Sequence, residues 1–449
     1  MKSAFFISVC WIIIITSSCS KEHSYAISQN DTTSHTQIDT PVHNLSLKIA
    51  VVSDIHYMDP SLLVNNADAG IAFQTYLQYD PKLVEYSDPI FRAVIAQLIT
   101  EKPDVLLIPG DLTKDGEKIS HKTMAGLLRD LANAHIKVFV VPGNHDINNP
   151  NARAYDGDKA LTTPSISANE FSTIYSAFGY GNALSRDSGS LSYLNQADSN
   201  LWILAIDDCE YEDNKNFPIV GGRIKEATMK WALGWIKEAK NRHIHIYGMM
   251  HHNMIEHYAG EAQLDPGYVT DNWEEEADEF INAGLSVIFT GHYHANDITK
   301  RITGGKELYD IETGSLINEP IPYRIIDIKN SEFDITTNFI TSISVSLPGG
   351  SDLKTYADLF LSQHLDSYFG TVLSKPPYSL PAATAAVDAS LFRNAFMAHF
   401  AGDESISPQE KAKDDSLGHL SPLAGGVLST LWTDINTSDN NVIIKFAVP

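Results

Sequence analysis

From residue 47 onward the chain repeats one pattern: a short run of β-branched and aliphatic residues, a polar cluster, then a stretch with apolar residues three or four positions apart. Runs that are apolar on successive residues suit strands buried on both faces, and three- and four-residue spacing marks one face of a helix, so the alternation predicts an α/β fold. The strand-like runs are 47–52, 104–108, 137–141, 201–206, 243–250 and 285–289, and the helical stretches are 89–101, 120–134 and 225–240. Trp231 and Trp235 stand four apart in the last helix and are expected to pack in the core. Three longer segments, 57–87, 147–200 and 253–276, each follow the end of a predicted strand. In open α/β sheets those ends face the binding crevice, so the insertions are expected to wall any site. Ser167-Ala168-Asn169-Glu170 has capping-box spacing and predicts a short helix, and Phe73, Tyr76, Tyr79 and Tyr86 are expected to pack. After residue 330 the pattern changes: 333–345 alternates like an antiparallel strand, 353–369 and 386–400 are helical, and 441–448 reads as a final strand. Leu347-Pro348-Gly349-Gly350 marks a boundary between a body, 47–346, and a smaller mixed α+β C-terminal region, 347–449.

The N-terminus has a different character. Residues 1–19 run from a Lys through the apolar stretch 4–15 to Thr16-Ser17-Ser18-Cys19, the shape of an export signal. The apolar stretch is shorter than the ~20 residues a spanning helix needs. Its small-small-Cys ending resembles a bacterial lipobox, with Thr16 where that pattern usually has Leu. That resemblance implies a lipid on Cys19 and an exported protein held at a membrane, facing periplasm or exterior. Residues 20–46 are polar and aperiodic, as a tether would be.

Composition narrows the functions. The chain has 32 Lys plus Arg against 56 Asp plus Glu, a net charge of −24, and no basic run. Long nucleic-acid polymers are therefore poor partners, because they are held by clustered Lys and Arg. A hydrophobic fraction of 43% excludes a mainly disordered chain. Of the 3 cysteines, Cys10 and Cys19 lie in the export segment and Cys209 alone is in the body, so no disulfide framework forms there.

Polar clusters occupy five of the predicted strand ends: Asp54-Ile55-His56, Gly110-Asp111-Leu112-Thr113, Gly143-Asn144-His145-Asp146, His251-His252 and Gly291-His292-Tyr293-His294. Each holds a metal-ligand residue type. One such cluster would be a helix cap or a satisfied polar group; five gathered in one crevice would be costly without a shared partner. Residues two apart on an extended chain point the same way, which suits Asp-x-His to a single ion. Of the adjacent pair His251 and His252, only one can face a common centre. Imidazole, carboxylate and amide donors together suit Mn, Fe, Zn or Co better than Ca or Mg.

This motif series resembles the calcineurin-like metallophosphoesterase superfamily over about residues 47–328. The resemblance implies a four-layer α/β/β/α sandwich, two divalent transition-metal ions and phosphoester hydrolysis. It assigns Asp54, His56, Asp111 and His294 to one ion and Asp111, Asn144, His251 and His292 to the other, with Met250-His251 matching the family's Met-His pattern. A carboxylate suits the bridging place, since ions ~3.5 to 4 Å apart need a ligand with two oxygens. Two divalent ions outweigh the charges of Asp54 and Asp111, so the site stays positive, attracts a phosphate and lowers the pKa of bound water. The implied mechanism is in-line attack by a hydroxide bound at the dinuclear centre. Catalytic His145 then stabilises the transition state or protonates the leaving oxygen.

Departures narrow the branch. Protein Ser/Thr phosphatases of the superfamily have an Asp three residues after the bridging Asp, followed by Arg-Gly, and purple acid phosphatases have a Tyr ligand at that position. Here it is Lys114, followed by Asp115-Gly116. Gly110-Asp111-Leu112-Thr113 is more similar to the bacterial cyclic-nucleotide phosphodiesterase-like branch, and the carboxylate partner of His145 is left open. Lys114 is expected to be solvated, Asp146 either to orient a neighbour or to cap a turn, and His257 and Tyr293 to pack. The expected function is hydrolysis of small phosphodiesters. The alternatives are a phosphomonoesterase or nucleotidase with the same metals, and a non-catalytic surface-anchored binding protein.

Overall fold

The computed structural model describes residues 45–65, 69–433 and 439–446. The expected export segment, residues 1–19 with Cys19, and most of the expected tether, 20–46, lie outside the described residues. All six predicted apolar runs are strands: β1 (Ser46–Val51), β2 (Val105–Pro109), β3 (Lys137–Val141), β8 (Leu201–Ala205), β9 (His245–Met249) and β10 (Val287–Thr290). Between β3 and β8 lie β4 (Arg153–Asp156), β5 (Lys159–Thr162), β6 (Ser185–Arg186) and β7 (Tyr193–Asp198). After β10 come β11 (Ile298–Thr303), β12 (Lys306–Glu312), β13 (Pro322–Lys329), β14 (Glu332–Phe339) and β15 (Asn441–Lys445).

Two sheets result, in the orders β15-β14-β13-β1-β2-β3 and β11-β12-β10-β9-β8-β7-β6. β1, β2 and β3 are mutually parallel and form one half of the first sheet, with β13 to β15 antiparallel beyond them; β8, β9, β10 and β12 are the parallel centre of the second, with antiparallel strands at both margins. Burial on both faces explains why alternation was absent from the central runs. In β8, Leu201, Ile203 and Ala205 enter the core between the sheets, while Trp202, Leu204 and Ile206 enter a second core under the Glu226–Asn241 and Trp273–Ala283 helices. Trp235 meets Trp202 edge to face at 5.9 Å, the packing role expected of it. The Ser87–Glu101 and Lys118–Asn133 helices cover the outer face of the first sheet, which completes four layers, helices on sheet on sheet on helices. Ser167 and Glu170 form the predicted capping box at the start of the Ala168–Ile174 helix.

The C-terminal region holds the expected mix of helices with a final strand. Its helices, Leu353–Leu373, Ala382–Ala401, Pro408–Leu420 and Pro422–Leu431, bury a core of their own that also takes in Tyr258, Tyr293 and Ala295 from the body. Its strand β15 instead returns to the first sheet and pairs antiparallel with β14. The strand predicted over 333–345 ends at Phe339, where the alternation gives way to exposed residues. The Pro408–Leu420 helix was not anticipated, although Ser407 and Glu410 carry a capping box with Pro at the first turn. None of the described helices is long and apolar enough to cross a membrane.

Phe333 of β14 joins the layers: its ring meets Tyr247 at 5.1 Å, Phe446 at 5.1 Å and, stacked, Phe289 at 6.5 Å. Truncating a buried aromatic leaves a cavity that rigid sheets fill poorly, so Phe333→Ala is expected to cost about 3–5 kcal/mol of unfolding free energy. Urea denaturation of the two proteins measures it, and a loss below about 1 kcal/mol would show that this contact does not join the layers.

Candidate metal centre

The parallel strands of both sheets end at one edge, and the loops that follow them carry the polar clusters. These loops turn sharply. Asp54, His56, Asp111, His292 and His294 have φ of 48°, 40°, 44°, 78° and 72°, in the left-handed region that side chains with a Cβ rarely adopt. Each such residue stores about 1–3 kcal/mol of strain, held in place by surrounding structure. The loops also approach closely. A Cβ on Gly143 would collide with the Asp111 carboxylate and backbone, and one on Gly291 with Ser53 and Asp54.

The seven residues predicted as ligands come together in two groups. In the first, His56 Nε2 lies 3.2 Å from His294 Nε2 and 4.0 Å from Asp54 Oδ1, and His294 Nε2 is 3.5 Å from the same oxygen. In the second, His251 Nε2 lies 3.0 Å from Asn144 Oδ1 and 3.1 Å from His292 Nδ1. Asp111 stands between them, with Oδ2 3.5 Å from His56 Nε2 and Oδ1 3.5 Å from His251 Nε2. Asp54 Oδ1 is buried with no hydrogen-bond partner, while Oδ2 accepts from Ser53 Oγ and the His292 N–H. An orphaned carboxylate oxygen facing two imidazole nitrogens fits a cation, which would end the repulsion between lone pairs.

Protonation agrees with that fit. Burial pushes the Asp54 carboxyl up, but hydrogen bonding and charge from His294, with help from His251 and Ser53, hold it at about 2. Burial, and then the Lys82 ammonium, hold His56 well below the ordinary histidine value; burial with His252 and His251 does the same for His292. Ionised carboxylate and neutral imidazole are the forms that bind metal.

His145 sits at the open side of the centre, with its side chain 21% exposed and its ring edge-on to His56 at 4.8 Å. Its Nδ1 faces the Lys114 carbonyl at 2.8 Å and Asp115 Oδ1 at 3.1 Å, so the proton there is shared between them and Nε2 points inward, 3.9 Å from Asp111 Oδ2. Burial and Lys82 pull the imidazole down, but Asp111 and Asp115 outweigh them and raise it to about 9. Asp115 is thus the carboxylate beside His145, one residue later than the position where the related phosphatases carry theirs.

Lys114 is not solvated. It is 1% exposed, with Nζ bonded to Asp115 and 3.1 Å from Glu117 Oε1, and it lies 4.5 Å from the Tyr76 ring centroid. A buried ammonium needs paired carboxylates, and those two residues follow it in sequence. Asp146 orients its neighbours: Oδ1 accepts from Thr113 N–H and Oγ1 and Oδ2 from the Leu112 and Gly143 N–H groups, which ties the β2 loop to the β3 loop. His252 packs its ring edge-on to His292 at 4.2 Å, but its nitrogens are engaged elsewhere, with Nδ1 2.9 Å from Asp208 Oδ2 and Nε2 2.7 Å from the Val220 carbonyl. His257 and Tyr293 are buried behind the centre, in keeping with packing. Sequence reasoning missed Lys82, whose charge acts on His56 and His145, and Tyr268, whose ring covers His292 at 4.8 Å. Both lie in the insertions expected to wall the site, but neither belongs to a motif.

Two groups of candidate metal ligands sharing one carboxylate, at the edge of a two-sheet α/β sandwich, fit the class of metallophosphoesterases. The family model for calcineurin-like phosphoesterases matches residues 47–296, and the chain belongs to that family, whose members are hydrolases of phosphoester bonds. Over 58 residues it is 41% identical to a protein of Ruthia magnifica subsp. Calyptogena magnifica described as "Probable cyclic nucleotide phosphodiesterase"; the match spans 13% of this chain and 24% of that relative's length. Among solved structures it is similar to a dimetal phosphatase from Danio rerio, with a TM-score of 0.47, 13% identity, and coverage of 65% of this chain and 96% of that one. It is also similar to a purple acid phosphatase from yellow lupin seeds, with a TM-score of 0.41, 10% identity, and coverage of 70% and 54%.

Because any side chain at position 143 displaces Asp111, Gly143→Ala is expected to lower the metal held by the two ligand groups around Asp111 from about two ions to below about one while the fold persists. Elemental analysis of reloaded, dialysed protein, with circular dichroism beside it, reads both; full metal content in the variant would refute the role given to this close approach.

Proposed function

We propose that the protein is a metal-dependent phosphodiesterase that adds water across one P–O bond of a small phosphodiester, releasing a phosphomonoester and an alcohol. The observation that carries this reading is the position of Asp111, with one carboxylate oxygen toward each of two ligand groups and His145 alongside. In this reading Asp54, His56, Asp111 and His294 hold one divalent ion, and Asp111, Asn144, His251 and His292 the other. When bound, such a pair supplies positive charge for the nonbridging oxygens of a phosphate and acidifies water. His145 presents Nε2 at the open side and donates a proton to the departing alcohol oxygen, while Asp115 and the Lys114 carbonyl fix Nδ1 as a donor and so fix the ring. Lys82, buried beside Asp80 at 3.4 Å, adds positive charge near His56 and His145, and the Tyr268 ring covers His292 of the second group.

The diester preference is supported by the short match to the protein described as a cyclic nucleotide phosphodiesterase. A net charge of −24 supports a small substrate over a nucleic-acid polymer. Export and membrane attachment through a lipid on Cys19 belong to the same proposal and rest on the sequence of residues 1–19.

Metal-stripped protein, assayed on a chromogenic phosphodiester and a chromogenic phosphomonoester with added Mn or with chelator, tests the reading. Metal-dependent diester turnover that collapses in Asn144→Ala and His145→Ala is expected; a monoester preference would make the protein a phosphomonoesterase, and silence on both esters with two ions bound would point to a binding protein. Asp115→Asn, which weakens the support of His145 and takes one of its two carboxylates from the buried Lys114, is expected to lower kcat about 10- to 100-fold with metal content unchanged. An unaltered kcat would remove Asp115 from the mechanism.

A further inference from the structure

Behind the centre lies a second set of metal-binding side chains that shares no residue with it. His257 from the loop after β9, Asp297 from the loop after β10 and His399 from the Ala382–Ala401 helix are 1%, 5% and 2% exposed, and each offers a ligand atom within 4.8 Å of the others. Both imidazoles are already oriented. His257 Nε2 faces the buried Glu312 carboxylate at 3.0 Å and is 2.7 Å from Asn253 Nδ2, while His399 Nδ1 faces Glu404 Oε1 at 2.8 Å. At His399 the carboxylate on Nδ1 keeps the proton there and leaves a lone pair on Nε2, the arrangement that supports metal-bound histidines; at His257 a cation on Nδ1 requires the proton on Nε2, toward Glu312. The remaining nitrogens, His257 Nδ1 and His399 Nε2, are buried and have no hydrogen-bond partner.

We propose that His257, Asp297 and His399 bind a third divalent transition-metal ion, a structural one, that fastens the C-terminal helices to the loops behind the catalytic edge. Two imidazoles and a carboxylate suit zinc, with water or a further carboxylate as fourth ligand. The surroundings are rich in carboxyl groups, with the buried Arg324 as a positive charge beside them, and a bound cation would favour the ionised form of Asp297, whose pKa burial and its acidic neighbours raise. Asp297 is surrounded by Asp439, Glu404, Glu312 and Glu261, and the buried Arg324 guanidinium is engaged by the Glu312 and Asp439 carbonyls. The ion would also act on the catalytic loop, because Tyr293, between His292 and His294, packs its ring 5.2 Å from His399 and 5.6 Å from His257.

The test counts zinc in the full chain after stripping, reloading with Zn(II) alone and dialysis, and follows thermal unfolding. About three ions per chain are expected in the unaltered protein and about two in His399→Gln and in Asp297→Asn, which keep phosphoester turnover but lose part of the zinc-dependent rise in Tm. The double variant His56→Ala/His251→Ala, with a ligand removed from each catalytic group, is expected to lose turnover yet still hold one ion that raises Tm. This arm decides the matter should the His399 variant fail to fold. Saturation of the unaltered protein at two ions, a full count in His399→Gln, or a double variant whose Tm ignores zinc would each overturn the proposal.

Discussion

Asp111 is the hinge of the arrangement, because its carboxylate must reach two ligand groups that are each assembled from loops of both sheets. His56 and Asn144 follow strands of the first sheet, and His251, His292 and His294 follow strands of the second. Each group therefore mixes ligands from both sheets. The spacing of the sheets, set by Ile203, Tyr247, Phe289 and Phe333 between them, becomes the spacing of the ligands. Packing in the middle of the sandwich and chemistry at its edge are one constraint.

The edge is costly to build. Several candidate ligands occupy left-handed backbone, and Asp54 keeps an oxygen without a partner in the interior. A fold holds such features only where its surroundings over-determine them. Asp146 does this between the β2 and β3 loops with hydrogen bonds from Leu112, Thr113 and Gly143, and Ser315 does it behind β1 by donating to the Asp54 carbonyl. The cost falls on stability, and the return is a set of donors that need not reorganise when a cation arrives.

The supporting layer extends past the motifs. Lys114, Asp115 and Glu117 form a buried cluster of one ammonium and two carboxylates beside His145, under Tyr76 from the first insertion. The C-terminal helices reach the same edge from the other side through His399 and Tyr293. Residues far from the motif series thus act on it through direct contact.

What the sequence determined by itself was the set of central strands, the helices between them and the clusters of candidate ligands, because burial on both faces and metal chemistry each restrict residue type at fixed, local spacing. Apolar runs such as 201–206 permit little else, and Asp-x-His or Gly-Asn-His-Asp is readable within a few residues. What tertiary structure decided is whatever depends on who faces whom. Lys114 read as a surface lysine until the fold buried it on Asp115 and Glu117; Asp115 became the partner of His145 through the folding of the β2 and β3 loops. Strand β15 looked like part of a separate unit because nothing local in 441–445 records that it pairs with β14, about a hundred residues earlier. Composition and period are properties of a segment, whereas a hydrogen bond between distant loops belongs to the packed chain.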